Sequence, residues 1–535
     1  MVSVLARHLG RAVRWTGDRL EDLASTSYGF DEIVDAKLAL DREGHILALA
    51  ADVIGDVGAY SIYPWTAAIE PIQVASFMPG PYRVPAYRGR VRAVATCKTP
   101  LGPYCGVGRP ISTFVMERLI DVAAQPLALD PVELRLRNLV RSDEFPYRAA
   151  SGIVWDRSGF GESLTRACAA IDYPQPWAEQ TAARAEGRLV GIGIASYAEL
   201  TGIGSRISAA PGMPINTGTA ATIRLDSTGA VTGSFGIASQ GQGLETALAQ
   251  VIADELGVRI EDIQILQGDS AVVAHGTGTY ASRRAVLARG AATLAARLLK
   301  DRVIRAASHL LEASVEDIDA ADGRIFVAGT DRSLTFRELA KAVYSEIGRL
   351  PRGAREELEV TKILRTLFRH ETSATHIVAL EIDRETGNVR LDRYVVAEDC
   401  GRVINPMIVD GQVHGAVAQG IGVALYEEVI YDDAGQLLTA SLVDYLIPSA
   451  TEVPAMTTVH LEAEFPSMVG GFRGIGEGGT IGAPAAIANA LADALAPLGI
   501  EIFELPMTPT RLFGLINQAK TTNRRGKSHD RYPPV

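Results

Sequence analysis

The sequence contains few cysteines and arranges them in no metal-binding pattern. The 535 residues include only Cys97, Cys105, Cys168 and Cys400, none of them in a CxxC pair or at zinc or iron–sulfur spacing. A chain of this length does not depend on a disulfide framework, so we expect a reducing compartment, the cytoplasm. We predict no metal held directly by protein side chains.

Long apolar runs and basic stretches are also missing. We find no apolar run of the ~18–20 residues that span a bilayer, and residues 1–8 do not form a signal peptide. The net charge of −11 argues against a phosphate-backbone partner. Nucleic-acid binding and a membrane span are therefore not predicted. Walker, HExxH and GxSxG motifs are absent as well.

Glycine and proline are plentiful, with 52 and 26 residues, and glycine recurs in one arrangement. A strand or loop runs into a Gly-rich turn and then into a helix at 102–110, 240–246, 411–422 and 474–484. This arrangement brings backbone amides and helix N-termini close to a ligand.

Apolar periodicity predicts alternating helices and strands along the whole chain. The first residues predict a helix at 2–9 and a strand at 12–15, as in the middle of an αβ unit, so we expect further sequence to precede them. The other expected elements are strands at 31–58, 88–98, 189–199, 219–226 and 229–238, a hairpin at 376–397, and helices from Pro110 and at 244–256, 284–300, 303–313, 335–346, 411–426 and 483–495.

Glu477 is the strongest catalytic candidate. It lies in Arg473-Gly-Ile-Gly-Glu-Gly-Gly-Thr-Ile-Gly-Ala-Pro484, where flanking glycines remove side-chain bulk and leave the carboxylate accessible before a helix. An exposed turn residue and a phosphate nest are the alternatives, but a central carboxylate repels phosphate. We favour a general base, which works best when an apolar pocket raises its pKa.

Two further Gly-rich segments suit ligand binding. Gln240-Gly241-Gln242-Gly243 offers two amide side chains for a planar heterocycle or an oxo group; a polar helix start is the alternative. Gly276–Arg284, which contains Tyr280, Ala281, Ser282 and Arg283, suits a phosphate or pyrophosphate. The paired arginines could equally form a solvated helix face.

The remaining candidates are Asp399–Pro406, with Gln412 and Gln419 on one face of the following helix, and Cys105. The glutamines could line a site or be solvated. Cys105 could act as a nucleophile, although the sequence pairs it with no particular histidine.

Together these motifs resemble the large subunit of the xanthine dehydrogenase/aldehyde oxidase superfamily, and most closely its bacterial branch that includes carbon monoxide dehydrogenase. The resemblance rests on Arg88–Pro110, Gln240–Thr246, Gly276–Arg284, Val395–Glu427 and Gly474–Ala490, which occur in the family's order. It implies an α+β, two-lobed molybdopterin-binding region without the family's preceding small domain. The lobes are expected at 1–150 and 151–515, with a disordered tail at 516–535.

The resemblance also implies a function. Glu477 would be the base in the hydroxylation of an aldehyde or N-heteroaromatic substrate with oxygen from water. A molybdenum–molybdopterin cytosine dinucleotide would be bound by Gln240, Gly241, Gln242, Gly243, Tyr280, Ala281, Ser282, Arg283, Gln419, Tyr104, Cys105 and Gly106. Electrons would pass to iron–sulfur and FAD subunits. Substrate contacts are expected from Trp65, Phe77, Tyr104 and Val107.

The sequence departs from the family pattern in three places. The family's GGGFG-type cofactor loop would lie upstream of Met1, so we expect either a separate chain to supply it or this chain to be inactive alone, as a fragment or assembly partner. Cys105 stands where the family usually has arginine. Gly106 stands where carbon monoxide dehydrogenases have their copper-binding cysteine, so carbon monoxide oxidation is not predicted.

Overall fold

The computed structural model describes residues 1–62, 66–202, 218–273, 275–276, 278–283, 285–354, 356–365, 370–463, 465 and 468–529. Helices and strands alternate along the chain, which confirms the predicted α+β class. The helices are α1 Val2–Leu9, α2 Arg19–Ser25, α3 Ile69–Phe77, α4 Arg109–Leu127, α5 Pro131–Asn138, α6 Phe160–Ile171, α7 Pro174–Ala185, α8 Leu244–Leu256, α9 Gly290–Leu311, α10 Phe336–Tyr344, α11 Pro406–Leu425, α12 Gly478–Leu495 and α13 Pro509–His529.

Within the described ranges the strands form five sheets. They are β1 Glu32–Leu40, β2 Ile46–Gly58, β3 Tyr87–Ala95, β4 Tyr147–Arg148, β5 Val154–Trp155, β6 Leu189–Thr201, β7 Thr219–Leu225, β8 Val231–Phe235, β9 Ile263–Gln267, β10 Ile318–Ala321, β11 Arg324–Val327, β12 Ser333–Thr335, β13 Glu359–Leu364, β14 His370–Ile382, β15 Val389–Asp399 and β16 Met456–Leu461. The sheet orders are β1-β2-β3, β4-β5, β13-β7-β8-β9, β10-β11-β12 and β16-β15-β14-β6.

Most predicted elements are present. The predicted hairpin joins β14 to β15, and a capping box between Thr335 and Glu338 starts α10. The predicted strand at 12–15 is wrong, because these residues pair with no other strand among those described. The two helices predicted at 284–300 and 303–313 are instead the single helix α9, preceded by a short π-helix, Ala285–Arg289.

The C-terminal helix extends into the predicted tail. Helix α13 runs to His529, and its Leu512 and Ile516 are buried, so an apolar face anchors it to the core. Disorder beyond it stays a prediction for residues 530–535, which lie outside the described residues.

Helix α12 lies directly on the sheet that contains β6. Glycines in β6 make this possible: a Cβ at Gly191 would lie 1.9 Å from Ala490 O, and one at Gly193 would lie 2.0 Å from Ala486 O. The stretch Gly478–Leu498 is apolar enough to cross a membrane, although we had predicted no such run, and 78% of its most apolar window is buried. It is the central core helix, and Glu477 immediately precedes it.

Three large apolar clusters make up most of the core of the described residues, beside a small one formed by Val286, Leu287, Phe465 and Met468. One lies between β1-β2-β3, α4, α6 and one face of the sheet containing β6. A second joins the opposite face of that sheet to α11, α12 and α13. The third fills the space between β7, β8 and the helices α8, α9 and α10. Strand β6 contributes to two of these clusters, and α12 packs directly along it, so the ends of both elements are fixed by the core.

Arg135 links helices α4 and α5 to β6 in the core. Its fully buried guanidinium pairs with Glu117 at 2.7 Å and Asp121 at 2.7 Å, and it donates to Ile194 O at 2.9 Å. A buried cation is tolerated only when it is fully paired.

We therefore predict that Arg135→Leu lowers the free energy of unfolding by roughly 3–5 kcal/mol, because it leaves the buried Glu117 without its counter-charge. Arg137→Leu is the matched control, because it removes an i,i+4 ion pair with the more exposed Glu133, worth less than about 1 kcal/mol. Urea unfolding followed by circular dichroism measures both. Equal losses in the two variants would contradict the interpretation.

Candidate active site

The Gly-rich turns converge on one cavity of about 520 Å³. Five separate segments contribute to its wall, within 103–105, 240–244, 279–289, 400–412 and 473–477. All five contain or adjoin the motifs expected to contact a ligand. Of the predicted candidates, those that line the cavity are Cys105, Gln240, Gln242, Tyr280, Ala281, Ser282, Gln412 and Glu477.

Glu477 occupies the N-cap position of α12 and faces the cavity. Its backbone N–H donates to Ser282 Oγ at 3.1 Å, and its carboxylate accepts from Arg109 Nη2 at 2.9 Å. The side chain is 15% exposed. The expected apolar pocket is therefore wrong in one respect: a buried guanidinium lies against the carboxylate and fixes its orientation.

Arg109 is a site residue that sequence reasoning missed. It is 1% exposed, and it also donates to Gly106 O at 2.6 Å and Leu200 O at 3.0 Å. Gly108, at φ +73°, permits the close approach, because a Cβ there would lie 2.5 Å from a backbone oxygen of α3. The sequence did contain one indication of this role: Arg109 is at the start of α4, directly after a Gly-rich loop.

Glu199, near the end of β6, was also missed. It is fully buried, and its Oε1 lies 3.9 Å from Arg109 Nη1. Burial raises the pKa of Glu199 above its ordinary value; Arg109 opposes the rise, and the neighbouring charge of Glu477 adds to it. Two carboxyl groups thus face a single guanidinium.

The Gln240–Gly243 turn presents amide groups to the cavity. The Gln240 N–H donates to Gln242 Oε1 at 2.6 Å, and both side chains line the wall. Gly241 and Gly243 adopt φ values of +95° and +67°, which glycine adopts without strain. These two glycines shape the turn and lie outside the cavity lining, and Gly243 is the N-cap of α8.

The segment 280–283 forms another wall in an unusual backbone conformation. Ala281 and Ser282 have φ values of +52° and +47°, which costs energy for non-glycine residues and directs Ser282 Oγ to the Glu477 N–H. Arg283 is 1% exposed, and its guanidinium lies 4.7 Å from the Tyr280 ring centroid. Arg283 therefore packs behind the wall, and Arg284 lies outside the described residues.

The loop at Tyr104–Gly106 closes the cavity near Gln419. Cys105 Sγ contacts Thr480 Oγ1 at 3.4 Å, and Thr480 Oγ1 donates to Gln419 Oε1 at 3.3 Å. Tyr104 lies beside Gln419 and stacks edge-on against Phe30 at 5.1 Å. Tyr104 and Gln419 therefore support the loop from outside the lining.

The described residues among the predicted substrate contacts do not lie together at one site. Phe77 is buried against Trp155 and Arg109, and Val107 is buried beside the loop. Trp65 lies outside the described residues. None of the described candidates borders the cavity directly, so substrate contacts remain a prediction.

Hydrogen-bond donors without partners mark the cavity as a ligand site. Gln242 Nε2, Arg289 Nε and Arg473 Nε have no hydrogen-bond partner among the described residues. All three are donors, so they fit a ligand rich in oxygen acceptors or negative charge. Burial lowers the pKa of Arg289 to about 10, which leaves its guanidinium charged at neutral pH. A molybdopterin cofactor, with its phosphate and heterocycle, has the required acceptors.

Comparison with known proteins gives the same assignment. Residues 1–139 and 166–454 match two families, each described as a molybdopterin cofactor-binding domain. The nicotine 6-hydroxylase large subunit of Paenarthrobacter nicotinovorans is 37% identical over 96% of this chain. The carbon monoxide dehydrogenase large chain of Hydrogenophaga pseudoflava is 32% identical over 94%. The chain spans 63% of the length of each.

Solved structures agree with this comparison. Quinoline 2-oxidoreductase from Pseudomonas putida 86 is 40% identical with a TM-score of 0.92, covering 97% of this chain and 66% of that one. Carbon monoxide dehydrogenase from Oligotropha carboxidovorans is 32% identical with a TM-score of 0.89, covering 97% and 65%. The two-lobed fold expected from the motifs is therefore confirmed.

The geometry predicts that Cys105 is a poor nucleophile. Burial, followed by the charge of Glu477, raises the pKa of its thiol to about 12, and only the thiolate reacts readily. At pH 8 we expect iodoacetamide to alkylate the exposed Cys97 at least about 100-fold faster than Cys105. Peptide mass spectrometry measures both rates, with urea-unfolded protein as the control. Equal rates in the folded protein would contradict the prediction.

Proposed function

Because the chain belongs to the xanthine dehydrogenase family and carries its molybdopterin-binding domains, we propose that it is the hydroxylating part of a molybdenum hydroxylase. Glu477 is its general base. The observation that carries this proposal is the oriented Glu477 carboxylate, which faces the same cavity as the unpartnered donors. The substrate class is an N-heteroaromatic compound or an aldehyde, with the new oxygen derived from water. The names of the nicotine and quinoline enzymes favour the heteroaromatic class.

Three residues of this chain have separate roles in the proposed reaction. A molybdenum–molybdopterin cofactor, when bound, would supply the two-electron redox chemistry. Glu477 accepts a proton and so generates a nucleophilic oxygen. Arg109 fixes the orientation of the Glu477 carboxylate by donating to one of its oxygens. Ser282 holds the Glu477 backbone from the opposite wall.

The proposed cofactor site combines cavity-lining and supporting residues. Gln240, Gln242, Tyr280, Ala281, Ser282 and Cys105 contact the cofactor, which we assign as the cytosine dinucleotide form. Gly241, Gly243 and Gly106 allow the backbone to approach it, while Arg283, Gln419 and Tyr104 support the wall. Gly106 supplies no copper ligand, so carbon monoxide is not a proposed substrate.

The wider assembly is also part of the proposal. Residues 1–150 and 151–515 form two cofactor-binding lobes, and electrons leave to iron–sulfur and FAD subunits. The carbon monoxide dehydrogenase relative is named a large chain and the nicotine enzyme a large subunit, which supports a multi-subunit complex.

We predict that Glu477→Gln lowers turnover of the complex by about 100-fold or more, the usual contribution of a general base, while molybdenum content is retained. The matched control is Glu501→Gln, which also removes a carboxylate paired with a buried arginine, Arg118, at 3.2 Å. Steady-state rates and metal analysis test both variants. Near-normal turnover in Glu477→Gln would overturn the assignment.

Cofactor binding is tested separately by molybdenum content. Gln242→Leu removes an unpartnered donor from the cavity wall, so we expect a several-fold lower molybdenum content after co-expression with the partner subunits. Gln267→Leu, which removes an amide outside the cavity lining, serves as the control. Equal molybdenum in wild type and Gln242→Leu would contradict the proposed contact.

A further inference from the structure

A second carboxyl group lies beside the proposed base. Glu199 is fully buried, and neither of its oxygens makes a hydrogen bond of ordinary geometry to a described residue. The Ser282 hydroxyl and the Glu477 carboxylate are its polar neighbours. Burying an ionised carboxylate that has no close hydrogen bond is costly, so this position requires an explanation.

Arg109 connects the two carboxyl groups. Its Nη2 lies 2.9 Å from Glu477 Oε2, whereas its Nη1 lies 3.9 Å from Glu199 Oε1. The Coulomb attraction between Arg109 and Glu477 is therefore stronger than that between Arg109 and Glu199. The start of α12 packs closely against Glu199 and Tyr197. A Cβ at Gly478 would lie 3.6 Å from Glu199 Oε2 and 2.2 Å from Tyr197 Oη.

The surrounding charges allow one negative charge in this pair. Among the residues that the structure describes, the titratable groups that face Glu199 are Arg109, Glu477, Cys105 and Tyr197, and Arg109 is the cation of this set. Burial and the charge of Glu477 both oppose ionisation of Glu199. At neutral pH one guanidinium therefore balances one carboxylate, and the second carboxyl group holds a proton.

We propose that Glu199 is a positioning residue: as a neutral carboxylic acid it leaves Arg109 to Glu477 and so sets the proton affinity of the base. This inference rests on the proposed function, because it assigns Glu199 a role through Glu477. When Glu199 ionises at alkaline pH, its negative charge competes for Arg109 and makes Glu477 more basic. The pH dependence of turnover then shows a second ionisation, which belongs to the Glu199–Glu477 pair.

The first test needs neither substrate nor cofactor. Infrared spectra of the full chain follow the carbonyl stretch of protonated carboxylic acids during a pH titration. The band lost in Glu199→Gln reports Glu199, and we expect its midpoint to lie well above the ordinary value for glutamate. In Glu477→Gln the like charge is gone and Arg109 is free, so the midpoint should fall by at least about one pH unit.

A matched control is available in Glu371, whose burial also raises its pKa to about 8. The band lost in Glu371→Gln should keep its midpoint in the Glu477→Gln background. Should Glu199→Gln fail to fold, the Glu477→Gln titration still tests the coupling: the carboxylic-acid band whose midpoint differs between wild type and Glu477→Gln belongs to the coupled group, and the Glu371 band is the unshifted reference. A Glu199 band with the same midpoint in wild type and Glu477→Gln, or no band shift at all, would overturn the inference.

Kinetics then separate the inference from the proposed function. In the complete complex, Glu199→Gln should retain the acid limb of the pH–rate profile and lose the alkaline inflection. A purely structural role would lower the rate equally at every pH and leave the inflection in place, which would overturn the inference. Absence of turnover in wild type would instead overturn the proposed function. The infrared titration would still test the coupling between Glu199 and Glu477, because it needs no turnover.

Discussion

The buried guanidinium of Arg109 is the interaction on which the site depends. A cation removed from water must be surrounded by acceptors. Arg109 obtains one from Gly106 O in the adjacent Gly-rich loop and two from distant segments, Leu200 O in β6 and the Glu477 carboxylate before α12. Satisfying one cation therefore fixes the relative positions of all three. The geometry around Glu477 follows from that requirement.

The core supports the same arrangement from the other side. Gly191 and Gly193 let α12 lie directly on β6, so the ends of both elements, at Glu477 and Glu199, are brought close together. A helix of small residues packed directly against two glycines of a strand has little freedom to shift. The close approach of the Glu199 and Glu477 carboxyl groups thus results from the packing of α12 on β6.

Much of this was predictable from local pattern. Alternating periodicity located most strands and helices, and flanking glycines identified Glu477, Gln240 and Gln242 as accessible. Arg109 and Glu199 could not be found in this way, because their roles depend on long-range partners: Arg109 and Glu477 are 368 positions apart. The expected apolar pocket around Glu477 failed for the same reason, since glycines reveal access but not which side chain arrives from elsewhere.

The left-handed backbone at Ala281 and Ser282 has a consequence for biosynthesis. That conformation is unfavourable in isolation and is held by the later segment, where a Cβ at Gly474 would lie only 1.9 Å from Ser282 O. A nascent chain that has reached residue 300 therefore lacks this wall, and the cavity is completed only after the region around Glu477 has left the ribosome. A ligand can therefore enter the complete cavity only after the segment around Glu477 has been synthesised and has folded.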